Sequence, residues 1–575
     1  MHKPLMVACS GGGGHIAAIK GIIDYTKKHD KSAVLKEYDP TIIRSRPFTI
    51  YNTLIKVGSK LNDWFVIKAF LKKIRKYLKT PVLPGYQELR SEVEILRKNN
   101  QNRRPYIDML IDVYPSGYYS AALWNVLQRN DNIEDLKILV SMQAQNDALN
   151  YNVVYQTFYD ALVKSALNGE PFTEIVSTQA MGLKAMCAAV RDYNQWIEQS
   201  CPKHLKHQTP PIHIKQYLTD IATVGAVHFF EPLSHLSDDE KSQMSLYGVG
   251  LTNEIMQHFF KNTKQTNSYG FRSINAIEPE NNPTVRPGFS DRRYDFSQKK
   301  TKDREIKIGG GDGFIKLQAN ERLASVMLGS QAGLESAEYI LPLLENSHCD
   351  KIAIFGALSN ESLKKHIESI CENHPNYASK IIMLGPQNDA QISAIMTASD
   401  VVVTRSGGLS VQEQLAMNHA PNQAVFLHYS SKNEYASNLT SGISWEDANA
   451  NYLVEFFTQK NVFCNKTTPR HINRALIEKN LIWDIKKYHN IPNPEKLISD
   501  INLITDEDLT QIWSSFLELK EHEKSTFFDQ LQKTIDDVLY ENSQTQSEEY
   551  NQSRIYSFIV YIMNSLRFMK QLPTV

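Results

Sequence analysis

The chain opens with a short apolar run that leads through four consecutive glycines into a helix-like pattern. Residues 5–9 are mostly apolar, residues 11–14 are all glycine, and residues 16–26 repeat apolar side chains at helical spacing. A strand, a glycine turn and a helix in this order form the first half of a βαβ unit. Units of this kind build parallel sheets that helices cover on both faces, so the opening predicts an α/β fold.

Strand-like apolar runs continue along the chain in two series. They occur at 33–37, 109–113, 137–141 and 174–177 in the first series, and at 324–328, 351–355, 380–384, 401–404 and 424–428 in the second. Long helical patterns separate them, which is typical of parallel α/β sheets.

The segment between the two series predicts a domain boundary. Residues 262–302 are polar and contain Asn-Asn-Pro and Arg-Pro-Gly, as expected of an interdomain connection. We therefore predict two Rossmann-like domains with parallel sheets and a helical extension, because 575 residues are too many for one core. The predicted ranges are 1–285 with a helical insertion at about 44–105, then 286–475, then 476–575.

Composition excludes several classes of protein. Lys plus Arg equals Asp plus Glu at 63 each, so the whole chain offers no net charge to attract nucleic acid. Six cysteines occur without a CxxC pair, which argues against a disulfide framework or a thiolate zinc site. The first residues lack the apolar core of an export signal. A soluble protein of the reducing cytoplasm is the expectation.

The N-terminal glycine loop fits one of two common nucleotide-binding patterns. Gly12, Gly14 and Ala17 fit a dinucleotide-binding GxGxxA pattern, with Glu37 placed where a ribose-binding acid would lie. A P-loop is excluded because no Gly-Lys-Ser/Thr follows. His15, directly after the glycines, is either a base that faces a bound hydroxyl or a residue that hydrogen-bonds the loop.

A second strand–glycine–helix unit lies at residues 400–417. Gly407 and Gly408 permit close backbone approach, and the free amides of the first helical turn can hold a diphosphate. Ser410 can add a hydroxyl to the phosphate, and Glu413, one turn later, can accept both hydroxyls of a ribose. The alternative is a capping box, because the two residues also fit S-x-x-E.

Three further features supply candidate binding groups. Arg405 precedes the second glycine pair and can neutralise a leaving diphosphate, or it is a surface arginine. Ser330 and Gln331 follow the strand at 324–328 and can donate to phosphate or sugar. Glu434 follows the strand at 424–428 and can bind sugar hydroxyls, although its segment also fits an ordinary polar loop.

In order along the chain, four motifs resemble those of glycosyltransferases with two facing Rossmann domains, the GT-B fold. The similarity is to the type represented by MurG and monogalactosyldiacylglycerol synthase. The motifs cover about residues 1–475: SGGGGH at 10–15, TVRPGF at 284–289, LGSQAG at 328–333 and SGGLSVQE at 406–413.

The resemblance implies that a nucleoside-diphosphate sugar binds the second domain and that no metal is needed. It places a base-binding loop at 384–387 and turns His15 towards the reaction centre. Residue chemistry and the resemblance together predict His15, Arg405 and Glu434 as catalytic residues, although Arg405 occupies a position that the family often fills differently. The predicted donor-binding residues are Gly13, Gly14, Ser330, Gln331, Leu384, Gly385, Ser406, Gly407, Gly408, Leu409, Ser410 and Glu413. Residues 431–438 lack the family's usual Gln-Glu pair, and inversion or retention stays open.

A similarity to secreted bacterial effector glycosyltransferases, such as SidI of Legionella, implies a GDP-mannose donor and a target in the host cytosol. The acceptor would then be a host protein, or a lipid as in the lipid glycosyltransferases. Residues 44–79 carry ten basic side chains and one acid, interleaved with apolar residues. Such a segment binds an anionic surface or packs its apolar side on the core. The rival functions are a nucleotide-sugar epimerase or hydrolase and a binding module.

Overall fold

The computed structural model describes residues 2–10, 14–37, 86–100, 102–114, 117–130, 132–260, 268–290, 303–309, 313–319, 321–329, 332–345, 349–417, 419, 423–430, 441, 443–460, 462–472 and 476. The basic segment 44–79 and nearly all of the predicted extension 476–575 lie outside these residues. The described residues up to Pro469 form one compact unit, which contains both parallel sheets, and a second unit begins at Arg470.

The first sheet has six parallel strands in the order β2-β1-β3-β4-β5-β6. These strands are β1 (Pro4–Ala8), β2 (Ile107–Asp108), β3 (Glu174–Ser177), β4 (Ile214–Tyr217), β5 (Met244–Gly248) and β6 (Ser273–Ala276). Every residue of β1 and β3 is buried, as parallel strands covered on both faces require.

Helices connect and flank these strands. They are α1 (Gly14–His29), α2 (Tyr86–Asn99), α3 (Gly117–Arg129), α4 (Ile133–Ser141), α5 (Gln143–Leu167), α6 (Leu183–Gln199), α7 (Lys203–Lys206), α8 (Val227–Ser234), α9 (Asp238–Ser242), α10 (Asn253–Phe259) and, after a 3₁₀ turn at Pro279–Asn281, α11 (Pro287–Ser290). Among the described residues no helix has the length and apolar character that crossing a membrane requires.

The second sheet also has six parallel strands, in the order β11-β10-β9-β12-β13-β14. An antiparallel hairpin, β7 (Arg304–Ile308) and β8 (Gly313–Leu317), precedes it. The remaining elements are β9 (Leu323–Met327), α12 (Glu335–Glu338), α13 (Ile340–Glu345), β10 (Lys351–Ile354), α14 (Glu361–Asn373), α15 (Pro375–Ala378), β11 (Ile381–Met383), α16 (Asp389–Ala398), β12 (Val401–Thr404), α17 (Gly408–Ala416), β13 (Ala424–His428), α18 (Ser444–Gln459) and β14 (Phe463–Thr467).

The predicted α/β class with two Rossmann-like sheets is confirmed. Strands predicted at 401–404 and 424–428 have those bounds in the structure. In each half a fully buried strand is followed by a helix that begins at a glycine: Gly14 after β1 in the first half and Gly408 after β12 in the second. The two halves therefore repeat one plan.

Three strand predictions were wrong. Residues 109–113 form a π-helix, because the Asp108 carboxylate accepts the amides of Leu110 and Ile111 and ends β2 after two residues. Residues 137–141 are the end of helix α4, which Asn132 caps. Residues 33–37 contribute one bridge, from Ala33 to His2, and no strand.

Some strands of the first sheet were not predicted from the sequence. Strand β4 alternates buried and partly exposed residues and contains Lys215 and Gln216, so it lacks a continuous apolar run. Strand β6 lies inside the polar segment 262–302 that was predicted as a connection. It pairs with β5, so part of that segment belongs to the first sheet.

Helix α5 packs one face on the first sheet and leaves the other in solvent. Phe158 is fully buried in a core that includes Leu5 of β1 and Ile175 of β3. Leu149, on the same helix, is 79% exposed.

This contrast predicts that Phe158→Ala lowers stability by about 3–5 kcal/mol because it leaves a cavity, whereas Leu149→Ala changes it by less than about 0.5 kcal/mol. The midpoint of thermal unfolding, measured for both variants, checks this. Equal midpoints would contradict the described packing of α5.

Candidate functional site

The glycine-started helices of the two halves meet at the carboxyl ends of their strands. A Cβ atom added to Gly14, the first residue of α1, would lie 3.9 Å from the Cβ atom of Leu409 in the first turn of α17. Two helix N-termini are thus close together, and each has first-turn amides without an intrahelical partner and the positive end of a helix dipole. In open α/β sheets the ligand crevice lies at this end of the strands.

His15 is anchored by one ring nitrogen. Its Nδ1 atom lies 2.6 Å from the carbonyl oxygen of Thr178, at the end of β3, and 3.2 Å from the Thr219 hydroxyl. Because a carbonyl oxygen can only accept, Nδ1 carries the hydrogen, and Nε2 carries the lone pair of the neutral ring. Burial lowers the pKa of His15, although the charge of Asp220 opposes this. The neutral ring, which can accept a proton, is therefore the form present at pH 7.

Asp220 lies beside this histidine at the end of β4. Its Oδ1 atom accepts from Asn449 Nδ2 at 2.8 Å, and its Oδ2 atom lies 3.2 Å from His228 Nε2. Burial raises the pKa of Asp220, but the hydrogen bonds from His228 and Asn449 outweigh burial and place it below its ordinary value. Asp220 is therefore a buried anion that both halves of the molecule stabilise.

Sequence reasoning missed Asp220, His228 and Asn449. Asp220 follows β4, and His228 lies in the next helix, α8; because β4 was not predicted, nothing marked this region as the end of a parallel strand. Asn449 lies within helix α18 and has no glycine beside it. A prediction of β4 would have placed Asp220 at the same sheet edge as the glycine loop.

The predicted diphosphate loop begins at the end of β12. The Ser406 carbonyl accepts from Asn449 Nδ2 at 3.1 Å, and Gly407 caps helix α17. A Cβ atom at Gly408 would overlap the Thr219 carbonyl oxygen and the Asp220 carboxylate, so this position requires glycine. Ser410 lies in the first helical turn, and the capping-box alternative does not form because Gly407 is the cap.

Glu413 is engaged by another residue in this structure. It is 1% exposed, and its carboxylate accepts from Nε of Arg286 and, at 2.8 Å, from Nη2. Arg286 Nη1 also donates to Asp389 at 3.2 Å. Burial raises the pKa of Glu413, and the Arg286 charge opposes that rise. Glu413 therefore ties α17 to the segment before α11, and its role as a ribose ligand stays a prediction.

The remaining predicted residues lie at the same edge of the second sheet or outside the described residues. Arg405 follows β12, and its Nη2 atom is 3.7 Å from Glu446 Oε2 on α18. Leu384 is buried, and a Cβ at Gly385 would lie 3.6 Å from the Cβ of Leu358, which is 54% exposed. The predicted residues outside the described ranges are Gly13, Ser330, Gln331 and Glu434.

A second polar cluster lies at the end of β13. His428 Nε2 is 2.9 Å from Glu335 Oε2, and the Tyr339 hydroxyl is 2.7 Å from His428 Nδ1. Ser430 donates to the other oxygen of Glu335 at 2.7 Å. Each of these groups is hydrogen-bonded, so the cluster braces the turn that leads into the predicted sugar-binding segment. In the part of the chain that the structure describes, no group of His, Cys, Asp or Glu side chains is placed to hold a metal ion.

Comparisons with known proteins found structural similarity only. No protein-family model matches the chain, and no curated protein matches it. A crystal structure of MurG from Acinetobacter baumannii is similar, at 11% identity and a TM-score of 0.29, over 56% of this chain and 68% of that one. UDP-GlcNAc 2-epimerase from Neisseria meningitidis, bound to UDP-GlcNAc, is similar at 11% identity and a TM-score of 0.29, over 58% and 82%.

A putative UDP-N-acetylglucosamine 2-epimerase from Listeria monocytogenes is similar at 10% identity and a TM-score of 0.28, over 60% of this chain and 79% of that one. These TM-scores are too low to bear on the function of this chain. The fold class rests on the order and direction of the strands in its two sheets.

The adjacent glycines before α17 provide a matched test of this site. Gly408→Ala is expected to lower stability by about 1–3 kcal/mol, because its Cβ forces α17 away from the loop after β4. Gly407→Ala is expected to change stability by less than about 0.5 kcal/mol, since a Cβ there meets no atom within 4 Å and its φ is −63°. Thermal unfolding of both variants checks this, and equal midpoints would show that the two elements are not in contact.

Proposed function

We propose that this protein is a glycosyltransferase that moves a sugar from a nucleoside-diphosphate sugar, a UDP- or GDP-sugar such as GDP-mannose, to an acceptor hydroxyl. The observation that carries the proposal is the meeting of two helix N-termini, at Gly14 and Leu409, beside the anchored base His15. Amides of the second half would hold the diphosphate, and the first half would bind the acceptor. A host protein, as for a secreted effector, or a lipid is the proposed acceptor class.

Each residue has a defined part in the proposed transfer. His15 Nε2 takes the proton as the acceptor O–H bond breaks, and the acceptor oxygen bonds to the anomeric carbon. The bond from that carbon to the diphosphate breaks, and its electron pair leaves with the diphosphate. The first-turn amides of α17 and the Arg405 guanidinium would stabilise the negative charge that develops there.

An exposed apolar side chain beside the predicted base-binding loop at 384–387 supports a nucleobase site there. Leu358 follows β10, is 54% exposed, and its amide donates to the Leu384 carbonyl at 3.2 Å. Its Cβ atom would lie 3.6 Å from a Cβ atom at Gly385, so the exposed leucine borders this loop directly. Apolar contact with a base and polar contact with phosphate together are typical of nucleotide pockets.

The test is donor binding and turnover. Thermal shift with a panel of UDP- and GDP-sugars should find at least one that stabilises the protein, and Leu358→Asp should abolish that shift. Leu149→Asp, at a leucine of the first half that is also exposed, should retain it. If no sugar nucleotide binds the intact protein, the proposal fails.

Release of nucleoside diphosphate separates the transferase from its rival. Release that requires an added acceptor supports transfer, whereas rapid turnover of donor alone indicates a hydrolase or epimerase. We expect His15→Gln to retain donor binding and to lower transfer about 10²–10⁴-fold, because only the base is lost. Unchanged transfer in that variant would exclude His15 as the base.

The pH dependence of transfer follows from the direction of the His15 pKa shift. The pKa of His15 in the folded protein lies below the ordinary 6.5, so the neutral ring still predominates at pH 6.5. We expect the rate to fall to half of its maximum at a pH below 6.5, as the ring gains a proton in more acidic solution. A pH–rate profile measured at saturating donor checks this. A decline centred above pH 7 would contradict it.

A further inference from the structure

The carboxylate of Asp220 is held by groups from both Rossmann-like halves. An ionised carboxylate can only accept, so the two nitrogens that contact it, His228 Nε2 and Asn449 Nδ2, both carry hydrogen. Asn449 also accepts the Ile221 amide and donates to the Ser406 carbonyl, which fixes the orientation of its amide. Asp220 is thus fixed from the side of α8 and from the side of α18.

A continuous set of polar contacts joins Asp220 to His15. The Thr219 hydroxyl lies 3.2 Å from His15 Nδ1 and 3.5 Å from Asp220 Oδ2. The groups whose charges act on His15 are Asp220, which favours the protonated ring, and His228, which disfavours it. Asp220 itself faces His228, Asn449 and His15.

The ring of His228 is fixed by apolar packing. Its centroid lies 4.3 Å from that of Trp445, at the start of α18, and 4.6 Å from that of Phe229. Its Nδ1 atom is buried and has no hydrogen-bond partner among the described residues. Since the Nε2 contact to Asp220 is the polar contact that holds the ring, His228 is placed to orient that carboxylate.

We propose that Asp220 stabilises the positive charge that His15 gains when it takes the acceptor proton, and that His228 is the positioning residue that holds Asp220 for this role. The inference rests on the proposed function and assigns two residues to it. A cation formed on a buried imidazole is costly without a nearby anion, and Asp220 supplies that anion without taking the proton.

The pKa of His15 can be measured without any sugar nucleotide. Diethyl pyrocarbonate modifies neutral imidazoles, so its rate at His15, followed by peptide mass spectrometry across pH, reports that pKa. Asp220→Asn keeps the shape of the side chain and removes its charge. We expect the pKa of His15 to fall by about one, as loss of a nearby opposite charge requires. Exposed His29 and His204, in the same digests, should not change.

A matched pair of variants isolates the contact made by His228. His228→Gln and His228→Phe both remove the imidazole, but only Gln can still donate to Asp220. We expect the pKa of His15 to be lower in His228→Phe than in His228→Gln, because only the second variant keeps a donor to Oδ2 that stabilises and orients the Asp220 carboxylate. Thermal unfolding identifies any variant that fails to fold. If a His228 variant fails to fold, the pKa of His15 in Asp220→Asn alone tests the proposal.

The proposal is overturned if Asp220→Asn leaves the pKa of His15 unchanged, or if the two folded His228 variants give the same value. Turnover adds a separate readout, since Asp220→Asn should lower kcat at least tenfold with little change in the KM for donor. The labelling uses no sugar nucleotide, so it is independent of donor binding. If the pKa of His15 depends on Asp220 but no donor binds, the proposed function is contradicted and the effect of Asp220 on His15 still holds.

Discussion

Gln412 and Glu413 are buried polar side chains of helix α17, and their partners lie before the second sheet begins. Gln412 contacts Asn282 and, at 2.7 Å, Thr284, and it donates to the Leu218 carbonyl at 3.2 Å. Glu413 pairs with Arg286 through both carboxylate oxygens. Removing one partner of a buried ion pair costs about 3–5 kcal/mol, so these contacts fix the position of α17 against the segment 282–286. The geometry of the candidate site depends on that position.

The same segment explains why the two helix N-termini lie close together. Helix α1 packs against the chain at Thr284, since a Cβ at Gly21 would lie 2.8 Å from that carbonyl oxygen. Gln412 of α17 is hydrogen-bonded to the same threonine, so both helices are aligned on one segment. Their first turns, at Gly14 and Leu409, are consequently held together at the strand ends. Two βα turns thereby come together with a helix N-terminus from each half.

The sequence predicts the structure around a residue best where that structure depends on neighbours in the chain rather than on distant residues. The buried strand 401–404 and its glycine turn were predictable because an all-apolar run next to two glycines has few other structures. Residues 109–113 were not, since the Asp108 carboxylate turns an apolar run into a π-helix. Glu413 was recognised as a polar residue near the glycines, but its pairing with Arg286, 127 residues earlier, depends on tertiary structure. Asp220 was missed for the same reason.

The contacts of Asn449 show why the two halves act as one site. Its amide donates to Asp220 in the first half and to the Ser406 carbonyl in the second, and Ser406 lies two residues before Gly408, which packs closely on Thr219 and Asp220. Any ligand that displaces the 406–408 turn must therefore disturb the carboxylate beside His15. Because Asp220 is buried, its charge is weakly screened, and a small displacement changes its effect on the histidine. If the proposed donor binds at the 406–408 turn, it is therefore expected to change the proton affinity of His15.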